Sequence, residues 1–72
     1  MEKPEEMLIA KYIHQDDELR KSVEEHRNFE AALENFNKRL YLTPGEEMEK
    51  KKLQKLKLLS KDKIFQLLAK YQ

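Results

Sequence analysis

Residues Leu42 to Met48 read "LTPGEEM", and the fold turns on how this stretch is read. Thr43 is suited to cap a helix with its hydroxyl. Pro44 fits the first helical turn, where its missing N–H would be unpaired anyway, and Glu46 stands three residues after Thr43, as a capping box requires. A helix is expected to start at Thr43. Upstream, apolar residues recur at Leu19, Val23 with His26, Phe29, Leu33, Phe36 and Leu40. These steps of three and four draw one stripe along a helix ending near Leu40 or Tyr41. Only two or three residues are left between the two helices, and so short a connection favours antiparallel neighbours. Downstream the stripe resumes at Leu53, Leu56, Ser60, Ile64, Leu67 with Leu68, and Tyr71. The predicted fold class is all-α: a long antiparallel helical hairpin, coiled-coil-like, with arms over residues 17–41 and 43–71. At ~1.5 Å per residue each arm is about 40 Å long.

The first fifteen residues behave differently. Leu8 and Tyr12 extend the stripe but Ile9 and Ile13 fall off it, so this segment is apolar over more than one face. In "HQDDEL", Asp16 is placed to cap a helix, and Asp17 and Glu18 occupy a first turn that favours negative charge. The reading is a short helix over residues 4–14, a break, then the long arm. A single continuous helix from Pro4 to Leu40 is the alternative. No internal repeat or low-complexity linker interrupts what reads as one helical domain over residues 1–72.

Composition agrees with long amphipathic helices: 40% charged and 39% hydrophobic residues, one Gly, two Pro and no Cys. Without cysteine there is neither a disulfide framework nor a thiolate zinc site, and a single core of 72 residues is marginal without such help. A partner chain is therefore expected. The N-terminal stretch lacks a signal peptide's apolar run and no segment approaches the length that spans a bilayer, so the expected location is cytoplasmic. The net charge of +1 hides a division. Residues 1–42 hold seven Lys/Arg against ten Asp/Glu, while residues 43–72 hold eight Lys against four acids.

His26, in "SVEEHRNFEAAL", is the one residue that invites a catalytic or metal reading. A helical metal site needs ligands three or four residues apart on one face, and only Glu30 qualifies. His14, twelve residues away, lies about 120° round the helix. Since His26 falls on the apolar stripe, a packed histidine is expected, with no metal and no cofactor. Catalytic residues are likewise not expected. Ser22 and Ser60 sit on the seams rather than at a strained turn, and the lone Gly45 makes no phosphate-cradling loop. Two helices also lack the concave pocket a small-molecule substrate needs. The chain reads as a non-enzyme.

Two surfaces remain. Lys50, Lys51, Lys52, Lys55 and Lys63, in "KKKLQKLKLLSKDK", are candidate phosphate contacts if the second arm binds nucleic acid. The simpler expectation is a solvated face whose ammonium groups meet Glu24, Glu25, Glu30 and Glu34 of the acidic arm. A membrane surface is disfavoured because the apolar face is committed to the hairpin. Ile9, Ile13, Leu58, Leu59 and Phe65 lie outside both seams, more than a two-helix hairpin covers. Either the N-terminal helix folds over them, or they form an interface with a protein partner or another copy of the chain.

"EEHRNFEAALENF" followed by a short turn and "LQKLKLLSKDKIFQLL" resembles the YdcH-like family of small bacterial helical-hairpin proteins. The matching positions are Glu25, His26, Phe29 and Leu33, then Leu53, Lys57, Leu58, Lys61, Asp62 and Ile64. The likeness covers about Leu19 to Leu68 and departs at Ser60, where the family more often has Leu, and in the N-terminal segment. It implies a cytosolic hairpin of unknown function. With the turn near residues 41 to 43, residue i should face about residue 84 minus i. That places His26 near position 58 and Phe36 near Met48, and predicts a polar cluster of His26, Glu25, Glu30, Lys57 and Lys61 that sets register across the hairpin.

Overall fold

The computed structural model describes residues 3–71, and among them helices are the only regular elements. Helix α1 spans Lys3–Tyr12, α2 Asp17–Asn37 and α3 Pro44–Leu68, the last running into a 3₁₀ turn over Ala69–Tyr71. Glu5 and Glu6 in the first turn of α1 and Lys11 in its last turn complement the helix dipole. The chain turns through residues 13–15, and Asp16, in extended conformation, caps α2 by accepting the Leu19 N–H at 3.0 Å. The continuous helix from Pro4 to Leu40 does not form. Thr43, held extended by the proline that follows it, caps α3, and the reciprocal Glu46 bond completes the capping box.

Gly45, the second residue of α3, has a negative φ, and a Cβ placed there would meet nothing nearer than Thr43 Oγ1 at 4.0 Å. Gly45→Ala should therefore stabilise the protein by about 0.4–1 kcal/mol, chiefly by restricting the unfolded chain. That is a rise of about 2–8 °C in melting temperature. A fall in a thermal melt would show that this turn is not formed as described.

Helix α2 is shorter than the expected arm. It stops at Asn37, where the Lys38 N–H bonds back to the Glu34 carbonyl and the Arg39 N–H to the Phe36 carbonyl, and Leu40 and Tyr41 leave the stripe to stand 93% and 87% exposed. Six residues, not two or three, reverse the chain. The extra length lets Arg39 reach the carboxylate of Glu46, the same group that bonds the Thr43 N–H, so the connector is fastened to the first turn of α3.

Cross-helix bonds give the direction and register of packing. Arg39 pairs with Glu46, His26 with Ser60 and Asp16 with Tyr71, so the second partner's number rises as the first one's falls, with nearly constant sums of 85, 86 and 87. Helices α2 and α3 therefore run in opposite directions with residue i facing about 86 minus i. The observed register lies about two residues beyond the expected sum of 84. The molecule is a rod of 43 × 18 × 17 Å.

Burial is uneven along this rod. Leu19 and Ile64 have no exposed surface, and Leu68, Val23 and Ile9 join them in one core at the end away from the connector, here called the base. Leu8, Tyr12, Ile13, Phe65 and Leu67 pack around it. Ile9, Ile13 and Phe65 are thus not the free interface the sequence suggested: α1 folds back and uses them to close the base. In the tip half, Leu33 is buried, whereas Phe29, Phe36, Leu53 and Leu56 are half-buried and Leu58 and Leu59 exposed.

Candidate interaction surface

The base is closed by a polar lock around Asp16. Its Oδ1 caps α2, while its Oδ2 accepts from the Tyr71 hydroxyl at 2.6 Å and lies 2.8 Å from the Lys70 ammonium. The rings of Tyr12 and Tyr71 stack with centroids 3.9 Å apart, and Lys11 and Lys70 each lie over one of these rings. The hydrogen bond from Lys70, then those from Tyr71 and the Leu19 N–H, hold the Asp16 carboxyl far below the usual carboxylate range. The same carboxylate raises Lys70 and Tyr71 above their ordinary values by hydrogen bonding to their protonated forms. The three helices converge on one residue that sequence reading took as a simple cap.

Midway along the rod, His26 joins the arms. Its Nδ1 is 2.9 Å from Ser60 Oγ and its Nε2 is 3.0 Å from Glu30 Oε1, while the Ser60 hydroxyl donates to the Lys57 carbonyl at 2.7 Å. Of the expected polar cluster, His26 and Glu30 come together. Lys57 contributes only its main-chain carbonyl, Glu25 is exposed on the outer side of α2, and Lys61 lies over the Phe65 ring. Ser60 takes the place expected of the lysines: its short hydroxyl can enter a buried site that an ammonium would have to desolvate to share.

His26→Leu should leave the melting temperature unchanged or raise it by up to about 5 °C, since Ser60 keeps its carbonyl partner and Glu30 stays half in water. Hydrogen exchange at residues 26 and 60 should speed up as register loosens. A loss of more than about 10 °C would show that the bridge carries stability rather than specificity.

The outward surface is charged and divided. Among the described residues, ion pairs join Arg20 to Asp17 and Glu24, Lys38 to Glu34, Arg39 to Glu46 and Lys70 to Asp16. None involves Lys50, Lys51, Lys52, Lys55, Lys57, Lys61 or Lys63. The expected meeting of these lysines with Glu24, Glu25, Glu30 and Glu34 does not occur; those acids pair within α2 or face water. Lys51, Lys52, Lys55 and Lys63 are exposed, and Lys50 is half-buried. Leu58 and Leu59 share this outward side at 62% and 56% exposure, pointing to opposite flanks. On the Leu58 flank, an open groove of about 840 Å³ runs between Glu30, Ala31 and Glu34 of α2 and Gln54, Lys57 and Leu58 of α3. Among the described residues no three His, Asp or Glu side chains converge as a metal ion would require, and no helix is long and apolar enough to cross a membrane.

No protein-family model, no curated protein and no solved structure matches this chain.

Proposed function

We propose that this chain is a non-enzymatic interaction module of the cytoplasm, an antiparallel, coiled-coil-like hairpin of the YdcH-like kind that works by packing against a protein partner or another copy of itself. The observation that carries this reading is the uneven burial: α1 completes the core at the base, while Leu40, Tyr41 and Met48 at the tip, Leu58 and Leu59 beside the mid-rod Ser60, and Met7 of α1 are each more than half exposed. Exposed apolar surface on so small a helical rod is a usual mark of a protein interface. No cofactor, metal or small-molecule substrate enters this reading. A second reading, nucleic-acid binding by Lys50, Lys51, Lys52, Lys55 and Lys63, is favoured by the exposure of Lys51, Lys52, Lys55 and Lys63 and by their having no carboxylate partner among the described residues.

Salt separates the two. Tagged protein should capture its partner from native lysate at both about 0.1 and about 0.5 M salt, with or without nuclease, because an apolar interface is little screened. Capture that disappears with nuclease or at the higher salt would transfer the function to the lysine face and overturn the first reading.

A further inference from the structure

We propose that a second copy of this chain covers one flank of the tip half, so that two hairpins pair into a four-helix bundle with α2 of each copy against α3 of the other. This rests on the interaction-module reading above and names its partner.

The flank is the one α1 leaves bare. Helix α1 closes the side that contains Val23 and Arg27 of α2 and Phe65 of α3. On the opposite side, Glu25, Phe29, Ala32 and Phe36 follow one another along α2 at steps of four, three and four. Lys52, Leu56, Leu59 and Lys63 follow one another along α3 at the same steps. Phe29, Ala32, Phe36 and Leu56 are half-buried, and Leu59, Glu25, Lys52 and Lys63 are exposed. Each line is apolar in its middle. The α3 line ends in lysine at both ends, and the α2 line begins in glutamate. Such seams, at alternating steps of three and four, are what helices present to a facing helix.

The register of the hairpin makes the two lines match. Since His26 stands level with Ser60, Lys63 stands level with position 23, Leu59 with 27, Leu56 with 30 and Lys52 with 34. A two-fold axis parallel to the rod keeps these heights while setting α2 of one copy opposite α3 of the other. Glu25 then falls two residues from Lys63 of the second copy, about 3 Å along the axis. Phe29 lies between the heights of Leu59 and Leu56, and Ala32 and Phe36 straddle Lys52, whose stem covers the ring. Every contact is made twice, as an isologous interface demands.

Charge selects this arrangement over the other two-fold. Helix α2 carries six acidic against three basic side chains, and α3 carries seven lysines against four acids. A two-fold axis across the rod would lay α2 on α2 and set Glu25 against Glu25, whereas the parallel axis sets Glu25 beside Lys63 of the other copy in both seams. The pairing also supplies the core that the tip half lacks.

The test is the mass of the full chain in solution by light scattering, from about 1 to about 300 µM, where a dimer linked to concentration by mass action must show itself. The expected result is twice the 8.7 kDa of one chain at the upper end. Leu59→Asp should raise the dissociation constant at least about 100-fold with helicity unchanged, because the side chain is already in water in the single chain and the change enters twice. Leu58→Asp, on the opposite flank, should leave the dimer intact. Glu25→Lys and Lys63→Glu should each weaken it about 10-fold, and the two together should restore it. A monomer throughout, a dimer that tolerates Leu59→Asp, or a charge swap that does not restore would each overturn the proposal. A monomer that still captures a salt-resistant protein partner overturns only the second copy as occupant; one that captures nothing overturns the module reading too.

Discussion

Leu19→Ala is expected to lower the melting temperature by about 12–24 °C, the loss that follows from about 3 kcal/mol in a chain of this size. Leu19 has no exposed surface and sits where all three helices meet, against Val23, Ile64, Leu68 and Ile9. Removing its branched end leaves a cavity that neighbours on three separate helices cannot close together. A small domain has roughly 4–10 kcal/mol of stability to lose, so this one substitution should leave the protein partly unfolded at 37 °C. Leu58→Ala is the internal comparison. It truncates the same side chain at 62% exposure and should move the midpoint by less than about 3 °C. Equal losses at the two sites in a circular-dichroism melt would mean that the core is not at the base.

Asp16→Ala should have the second largest effect, at least about 5 °C, because it removes the α2 cap and leaves the Tyr71 hydroxyl and Lys70 without their common acceptor. Asp16→Asn, which can still cap but carries no charge, should lose less. The pH profile identifies the lock. Asp16 binds its proton more weakly when folded, so its contribution is complete above the ordinary value of 3.8 and disappears as pH falls toward the depressed folded value. Lys70 and Tyr71 bind theirs more tightly when folded. Their contributions are complete below 10.5 and 10.0 respectively and disappear as pH rises through the raised folded values. The lock's contribution should therefore be level between about pH 4 and 10 and fall on both sides, and Asp16→Asn should flatten both shoulders. A variant whose profile matches the parent's would show that these three groups are not coupled.

Much of this was legible locally. The start of α3 follows from Thr43, Pro44 and Glu46, and the start of α2 from Asp16, because a cap bonds residues within three of itself and needs no distant partner. The all-helical class follows from apolar steps of three and four. The end of α2 was not legible: Leu40 continues the apolar spacing, yet leaves the helix because the chain must cross to α3 and Arg39 is fastened to Glu46. Nor was the fate of Ile9, Ile13 and Phe65. Their spacing marks them as surplus to a hairpin but does not say whether α1 or another chain takes them up, since the two outcomes bury the same side chains.

By itself, then, the sequence determined where helices begin, which faces of them are apolar, and that acid and base are divided between the arms, all properties of residues close together in the chain. Only the tertiary structure decided the register, the burial of α1 against the base, the choice of Ser60 over Lys57 and Lys61 beside His26, and the convergence of Tyr71 and Lys70 on Asp16. Those contacts join residues 34 and 55 positions apart, a separation that spacing along the chain does not specify.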